Sequence, residues 1–354
     1  MDTQICSAGK IDVFVGIDVD KHSFAFTVKE PGGMMYSKKI PANPEQLYQF
    51  LGSRYPKNAV LCAYEAGPTG YYLYDYLTQH AQPCVVIPPH ALAKSAADIV
   101  KNNRLDSQRI VQQLSAGTLR SIRVPEGPYR QLRHLVSTRH QYAQIQRVAK
   151  QRLRALLLFE HLPQPFDISR HWSKRSIDHL KSLPCEIAVR QRLDLLLRDL
   201  EYAREQLATS ERQLRVFVSA QTEIHEYVRY LRSVPGIGFI TATSVLGRSG
   251  DPVLLRHVNE LAAFVGVVPT ERSTGDVIRY GGISHRGDRQ LRALLVEAAW
   301  RAIRYNTELE QFYQRIRARH GDKGGSQAAI VAVANKLTRM MYRVLTDKRL
   351  FVKH

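Results

Sequence analysis

Acidic residues are scarce in this chain of 354 residues: 32 Asp and Glu face 51 Lys and Arg, a formal net charge of +19. The isoelectric point is about 9.9. So large a basic excess points to a polyanion, because each phosphate neutralised by a cation releases condensed counterions. On charge alone a structural RNA binder fits as well as a DNA binder. An anionic membrane surface could use the same charge, but no amphipathic anchor segment is present. Cysteine is also sparse. Cys6, Cys62, Cys84 and Cys185 form no close pair and no Cys-x-x-Cys, which excludes a disulfide framework and reads as free thiols in a reducing cytosol. Long apolar runs are missing: no stretch reaches the roughly eighteen residues of a membrane span. The opening MDTQICSAGK has no hydrophobic signal core. A soluble, cytoplasmic protein without a membrane partner is expected. There is no low-complexity tract and no whole-chain repeat.

With 44% apolar residues and 354 positions, the chain can form two or three packed domains. From Ile11 to about Val124 it alternates strands and helices. Val13–Val19 is a buried, β-branched strand, and Ser23–Lys29 alternates and follows after a short turn, which predicts a hairpin. Met34–Ile40 is a third strand after Gly32-Gly33. Pro44–Tyr55 is an amphipathic helix opened by Asn43. Ala59–Tyr64 is a second buried strand, Tyr71–His80 a helix, Cys84–Ile87 a short strand, and Lys101–Leu119 a helix. An α/β layer follows from this order. From about Pro128 to Gln221 long helices dominate, with Leu132, Leu135, Tyr142, Ile145 and Val148, then Leu193, Leu196, Leu197, Leu200, Leu207 and Leu214 at helical spacing. Two helices joined near Pro163-Gln164-Pro165 would form an antiparallel hairpin or coiled coil. From Tyr227 onward the text reads as helix and loop only, so the fold class is α/β plus all-α.

Three acids could carry chemistry. Asp18 ends a buried strand in VGIDVDKHSF, Glu65 ends another in CAYEAGPTGYYLYDYL, and Asp106 opens a helix in VKNNRLDSQRIVQQL. Strand ends of an α/β sheet gather at one edge, so acids there can converge on hard cations. Two Mg²⁺ ions so held stabilise the attacking and leaving oxygens of phosphodiester cleavage. Each acid alone would fit a cap or a surface position equally well. The first long helix carries Arg130, Arg133, Arg139, Arg147, Lys150, Arg152 and Arg154. That row is either a solvated face on a packing helix or a phosphate-tracking one, and the chain's charge favours the second.

Ser233-Val234-Pro235-Gly236-Ile237-Gly238 precedes the helical ITATSVLG. Gly236 and Gly238 would let backbone N–H groups approach a phosphate at a helix N-terminus, binding DNA without reading sequence. A plain helix–helix turn is the alternative. Farther on, Ser273-Thr274-Gly275 lies in a basic loop with Arg272, Arg279, His285, Arg286 and Arg289. A hydroxyl among cations can be a nucleophile, because they stabilise its alkoxide and the charge on phosphorus. From the residues alone, a phosphate-contacting loop with no covalent role is the better reading.

At these places the chain resembles a known family: the insertion-sequence transposases and pilin-gene invertases with a DEDD acidic tetrad, the bridge-RNA-guided recombinases. The blocks that carry the resemblance are VGIDVDKHSF, YEAGPTGYYLY, CVVIPPHALAKSAADIVKNNRLDSQRI, VPGIGFITA, FVGVVPTERSTGDVIRYGGISHRGDRQLRALLVEAAW and AIVAVANKLTRMMYRVL. They stand in the family's order across nearly the whole chain. The resemblance implies a ribonuclease-H-like (RuvC-like) catalytic domain over 1–125 and a helical coiled-coil linker and oligomerisation segment over 126–225. It implies a serine-bearing domain with a helix-hairpin-helix-like element over 226–354. It assigns the first two acids to Asp18 and Glu65 and the fourth to Asp106, all Mg²⁺ ligands, while the third position holds Asn103. An amide offers an oxygen but no charge. The family's nucleophile lies just before a glycine after a proline; here Thr274 takes that place and Ser273 the one before, counting from Pro269. Both stay open. The implied partners are donor and target DNA, a structured guide RNA and further copies of the chain. Asn103 and Thr274 also support a non-catalytic RNA- or DNA-binding derivative, and the acids alone would suit a junction-resolving nuclease.

Overall fold

The computed structural model describes residues 11–89, 103–165, 172–271, 280–283, 287–321 and 324–352. The chain divides into two compact units, Met1–Val124 and Pro125–His354.

The first unit is built on a mixed sheet. Strands β1 (Val13–Val19), β2 (Ser23–Lys29), β3 (Met35–Pro41), β4 (Val60–Glu65) and β5 (Cys84–Ile87) lie in the order β3-β2-β1-β4-β5. The β1–β2 and β2–β3 pairs are antiparallel, and β1–β4 and β4–β5 are parallel. Gly32 and Gly33, at φ +91° and +92°, make the β2–β3 turn that residues with a Cβ rarely adopt. Helices α1 (Pro44–Arg54) and α2 (Tyr72–Gln79) cover one face. Their Leu47, Leu51, Leu73 and Leu77 pack on Val15, Ile17, Phe26, Cys62 and Tyr64. Asn43 caps α1 as expected, its side chain accepting from the backbone N–H of Glu45 and Gln46 at 2.9 and 3.3 Å. On the opposite face α3 (Asn103–Ser115) buries Ile110 and Leu114 against Leu61, Ala63, Val85 and Ile87.

The second unit is largely helical. Helices α4 (Gly127–Phe159) and α6 (Ile187–Ala220) run antiparallel. Arg139 meets Glu211 near one end of the pair, while Leu153 and Leu157 share a core with Leu193, Leu197 and Leu200 near the other. The expected hairpin therefore forms, but its far end is not a simple turn at Pro163–Pro165. A further helix, α5 (Lys174–Ser182), closes it by burying Ile177 and Leu180 in the same cluster. Ser173 caps the start of α5, and the Arg190 guanidinium donates to the Leu180, Lys181 and Leu183 carbonyls at its end.

After α6 come α7 (Thr222–Arg232), α8 (Phe239–Ser249), α9 (Val258–Val265), α10 (Arg289–Tyr305), α11 (Thr307–His320) and α12 (Gly325–Thr346). The Val333, Ala334, Leu337 and Met341 side chains of α12 lie in one core with Leu132 and Val136 of α4, Leu214 of α6 and Leu295 of α10. The reading of everything beyond Tyr227 as helix and loop needs one correction. Short strands β6 (Pro269–Glu271) and β7 (Tyr280–Ile283) pair antiparallel. With only three and four residues, they are too brief to give a readable period-two pattern. Among the described residues no helix is long and apolar enough to cross a membrane.

Candidate active edge and nucleic-acid interface

Asp18 and Glu65 are brought together by strand register. Ile17 of β1 lies opposite Tyr64 of β4 in parallel pairing, so the next residues, Asp18 and Glu65, stand side by side at the carboxyl ends of neighbouring strands. Side chains alternate along a strand; Ile17 and Tyr64 point into the core under α1 and α2. Asp18 and Glu65 therefore share the other face, with Gly16, Leu61 and Ala63.

That is the face covered by α3, and Gly16 shows how closely. A Cβ built on Gly16 would lie 2.4 Å from the Ser107 carbonyl oxygen and 2.6 Å from the Val111 nitrogen. Two polar contacts fix the helix direction. The Thr27 and Ser107 hydroxyls, both fully buried, are 2.8 Å apart, and Lys29 donates to the Ser115 hydroxyl at 2.9 Å. Thr27 is opposite Gly16 and Lys29 opposite Phe14. Helix α3 thus runs back along β1, and its first turn, Asn103 to Asp106, lies toward the edge where β1 and β4 end. Asp106 is only about one-quarter exposed and forms an ion pair with Arg109 at 3.5 Å. The Asn103 side chain is outside the described residues. No ready-made group of three His, Cys, Asp or Glu metal ligands occurs among the described residues. The oxygen donors of Asp18, Glu65 and Asp106 are still of the type that hard divalent cations take.

The Gly16 approach and the Thr27–Ser107 contact hold α3 on this face, and no motif in the sequence announces them. An isolated glycine inside a β-branched strand was their signal, since such glycines mark close backbone approach.

The basic residues separate into distinct classes. Arg139 is engaged by Glu211 at 2.9 Å, with side chains 22% and 32% exposed, and so serves helix pairing. The Arg130 side chain donates to the Pro125 carbonyl at 2.7 Å beside the start of α4. Arg133 is half-buried, its backbone against Gly247. Arg147 is exposed. Lys150 is half-buried; burial first, then the charges of Arg204 and Arg154, lower its pKa below the usual lysine value. Gly236 has φ +80° and its added Cβ would lie 2.3 Å from the Ala298 carbonyl oxygen, so this glycine seats the α7–α8 turn on α10. Gly238 occupies the N-cap of α8, which has no side-chain cap. Arg289 is exposed at the first position of α10. Ser273, Thr274, Arg272, Arg279, His285 and Arg286 lie outside the described residues.

Residues 15–161 match the DEDD transposase family of IS110 type, and residues 228–314 match the Transposase IS116/IS110/IS902 family. A putative transposase of Sinorhizobium fredii is 28% identical over 82% of this chain and 71% of its own length. The transposase of an insertion sequence from Yersinia enterocolitica is 27% identical over 96% of this chain and 98% of its own. A pilin gene-inverting protein of Moraxella bovis is 24% identical over 40% of this chain and 44% of its own. Transposase domains of the IS110 and IS116/IS110/IS902 types thus stand in order on one polypeptide, and relatives similar over most of the chain are transposases.

Proposed function

We propose that the protein is a DNA recombinase that uses a Mg²⁺-dependent carboxylate edge in its first unit and a hydroxyl nucleophile in its second. The observation that carries this reading is the register pairing Ile17 with Tyr64, because it sets Asp18 beside Glu65 at one sheet edge. The strand order, with an antiparallel trio joined to two parallel strands, supports a ribonuclease-H-like fold for this unit. Asp18, Glu65 and Asp106, with the Asn103 amide oxygen, would hold Mg²⁺, which when bound offsets charge on a DNA phosphate. Asp106 would leave Arg109 to do so.

The Ser273 hydroxyl attacks phosphorus; an Oγ–P bond forms, the bond to a deoxyribose oxygen breaks, and the hydroxyl proton goes to that leaving oxygen. Thr274 is the alternative nucleophile. The covalent link keeps the phosphodiester energy, so strand exchange and religation need no hydrolysis. The three functional parts are 1–125, 126–225 and 226–354. The long helices supply the contact between copies, and a structured guide RNA pairs with donor and target DNA, leaving backbone contacts to the protein.

The test is incubation of the protein with DNA carrying the element's own ends and flanking RNA, with and without Mg²⁺. The expected result is a Mg²⁺-dependent protein–DNA adduct that survives denaturation and is lost in Ser273→Ala but kept in Thr274→Ala. The reverse pattern moves the nucleophile to Thr274. Asn103 in a position of the acidic tetrad favours a second reading, a catalytically impaired RNA/DNA-binding derivative. Binding with no adduct on any substrate selects it. Nicking of four-way junctions that survives both hydroxyl substitutions selects a junction-resolving nuclease.

A further inference from the structure

On α10 the residues Glu297, Trp300, Arg301, Arg304 and Tyr305 line a cavity of about 330 Å³. Their spacing puts them on one helical face, while Leu291, Leu295, Ala298, Ala299 and Ala302 face the core. Large aromatics are unusual on the outward face of a helix whose other side is already packed. Yet Trp300 is 39% exposed and Tyr305 82% exposed. Tyr313 of α11 packs against the Trp300 ring at a centroid distance of 5.6 Å and a tilt of 59°, and Trp300 also lines the cavity. Beside them, Arg301 reaches the start of α8: its Nη1 lies 3.9 Å from where a Cβ on Gly238 would sit. The first N–H groups of α8 have no side-chain cap, so they and Arg301 converge on one small region.

We propose that this cavity holds one unpaired nucleotide of a bound strand, its base stacked on Trp300 and Tyr305 and its phosphate between Arg301, Arg304 and the α8 N-terminus. Flat aromatic faces with adjacent guanidinium groups suit an exposed base, which a duplex keeps stacked on its neighbours. Glu297 at the cavity wall is acceptor-only when ionised, so it meets an amino or imino edge of the base and disfavours a bare phosphate there. The proposal rests on the nucleic-acid-handling role argued above and adds where an unpaired segment is gripped. None of its residues belongs to the acid edge or the nucleophile loop.

The chain has only two tryptophans, and the other, Trp172, is 6% exposed. In a Trp172→Phe variant of the full-length protein, Trp300 is the sole indole. Titration with a mixed-sequence single-stranded oligonucleotide, as DNA and separately as RNA, should quench its emission. The same sequence as a blunt duplex should bind with little quenching. Trp300→Leu should weaken single-strand affinity about ten-fold or more with duplex affinity little changed. Arg301→Gln with Arg304→Gln should lower the salt dependence of binding by roughly two counterions. Whichever of DNA or RNA quenches at lower concentration identifies the source of the strand. Equal quenching by duplex and single strand, or unchanged single-strand affinity in a folded Trp300→Leu protein, overturns the cavity while leaving the recombinase reading intact. No binding of any nucleic acid overturns both.

Discussion

Residues 1–124 hold 13 Lys and Arg against 10 Asp and Glu, whereas residues 125–354 hold 38 against 22. Nearly all the chain's excess positive charge therefore sits in the helical unit, and the sheet unit is close to neutral. On the proposed function, the difference matches what each unit would hold. A cation site needs a few carboxylates at one place, and crowding cations around them would weaken it by direct repulsion. A polyanion needs many cations over a wide surface, and long helices supply that surface. Within the basic unit, number is not function: Arg139 is tied to Glu211 and Arg130 to a backbone carbonyl, while Arg147 is exposed.

The strongest way to break the comparison is through two glycines, one in each unit. Gly16→Ala places a methyl group 2.4 Å from the Ser107 carbonyl, and Gly236→Ala one 2.3 Å from the Ala298 carbonyl at a positive φ. Backbone cannot move aside as a flexible side chain can, so each change should cost about 3 kcal/mol or more. Chemical denaturation followed by far-ultraviolet circular dichroism checks this. Gly16→Ala should depress only the transition of the sheet unit and abolish cleavage, and Gly236→Ala should depress the other. A fully stable Gly16→Ala protein would show that α3 does not lie on β1 as described.

A next, smaller effect separates chemistry from binding. Asp18→Asn should lower Mg²⁺-dependent adduct formation by about 100-fold or more, with DNA affinity within about three-fold. Arg147→Gln should do the opposite: adduct chemistry at saturating DNA is kept, and the salt slope of binding falls by about one. If Asp18→Asn weakens binding as much as cleavage, the division of labour between the units is wrong.

Much of this was legible in the residues. The β-branched run ending at Asp18 and the Asn43-Pro44 start of α1 are local signals, and both elements formed where read. The pairing of Asp18 with Glu65 was legible only as the general rule that strand ends share an edge; the register itself is a long-range fact. Helix α5 was missed because its stabilisation comes from burying Ile177 and Leu180 on distant α4 and α6, not from local propensity. Gly236 looked like a residue freeing backbone for a phosphate, but what needs its missing Cβ is α10, more than sixty positions away. The face of α10 was hidden for a related reason: aromatic residues at helical spacing read as core until the buried face is known to be another one.

The Arg139–Glu211 pair tests whether the basic row on α4 is partly structural. Both side chains are less than one-third exposed, so a double-mutant cycle of Arg139→Ala and Glu211→Ala should give a coupling of about 1 kcal/mol. That coupling should persist at high salt, while the Arg147 contribution to binding vanishes. A coupling near zero would return Arg139 to the phosphate-facing set.

The smallest effect concerns pH, and it belongs to the basic unit alone. His140 on α4 is half-buried, and burial first, then the charges of Arg248 and Arg139, lowers its pKa below the usual histidine value; Asp288 opposes this and Arg147 adds to it. The folded state thus binds the His140 proton less readily than the unfolded chain. Stability from this group is fully present above the unfolded pKa of about 6.5 and is lost as pH falls through the folded value. Denaturation midpoints measured between pH 7.5 and pH 5, a range set around that reference pKa, should drop further for the wild-type protein than for His140→Gln, which has no proton to gain. Carboxylates common to both proteins cancel in that difference. Equal drops would mean that His140 is as readily protonated in the fold as in water. Burial and the neighbouring charges of Arg248 and Arg139 would then place no net penalty on the His140 proton.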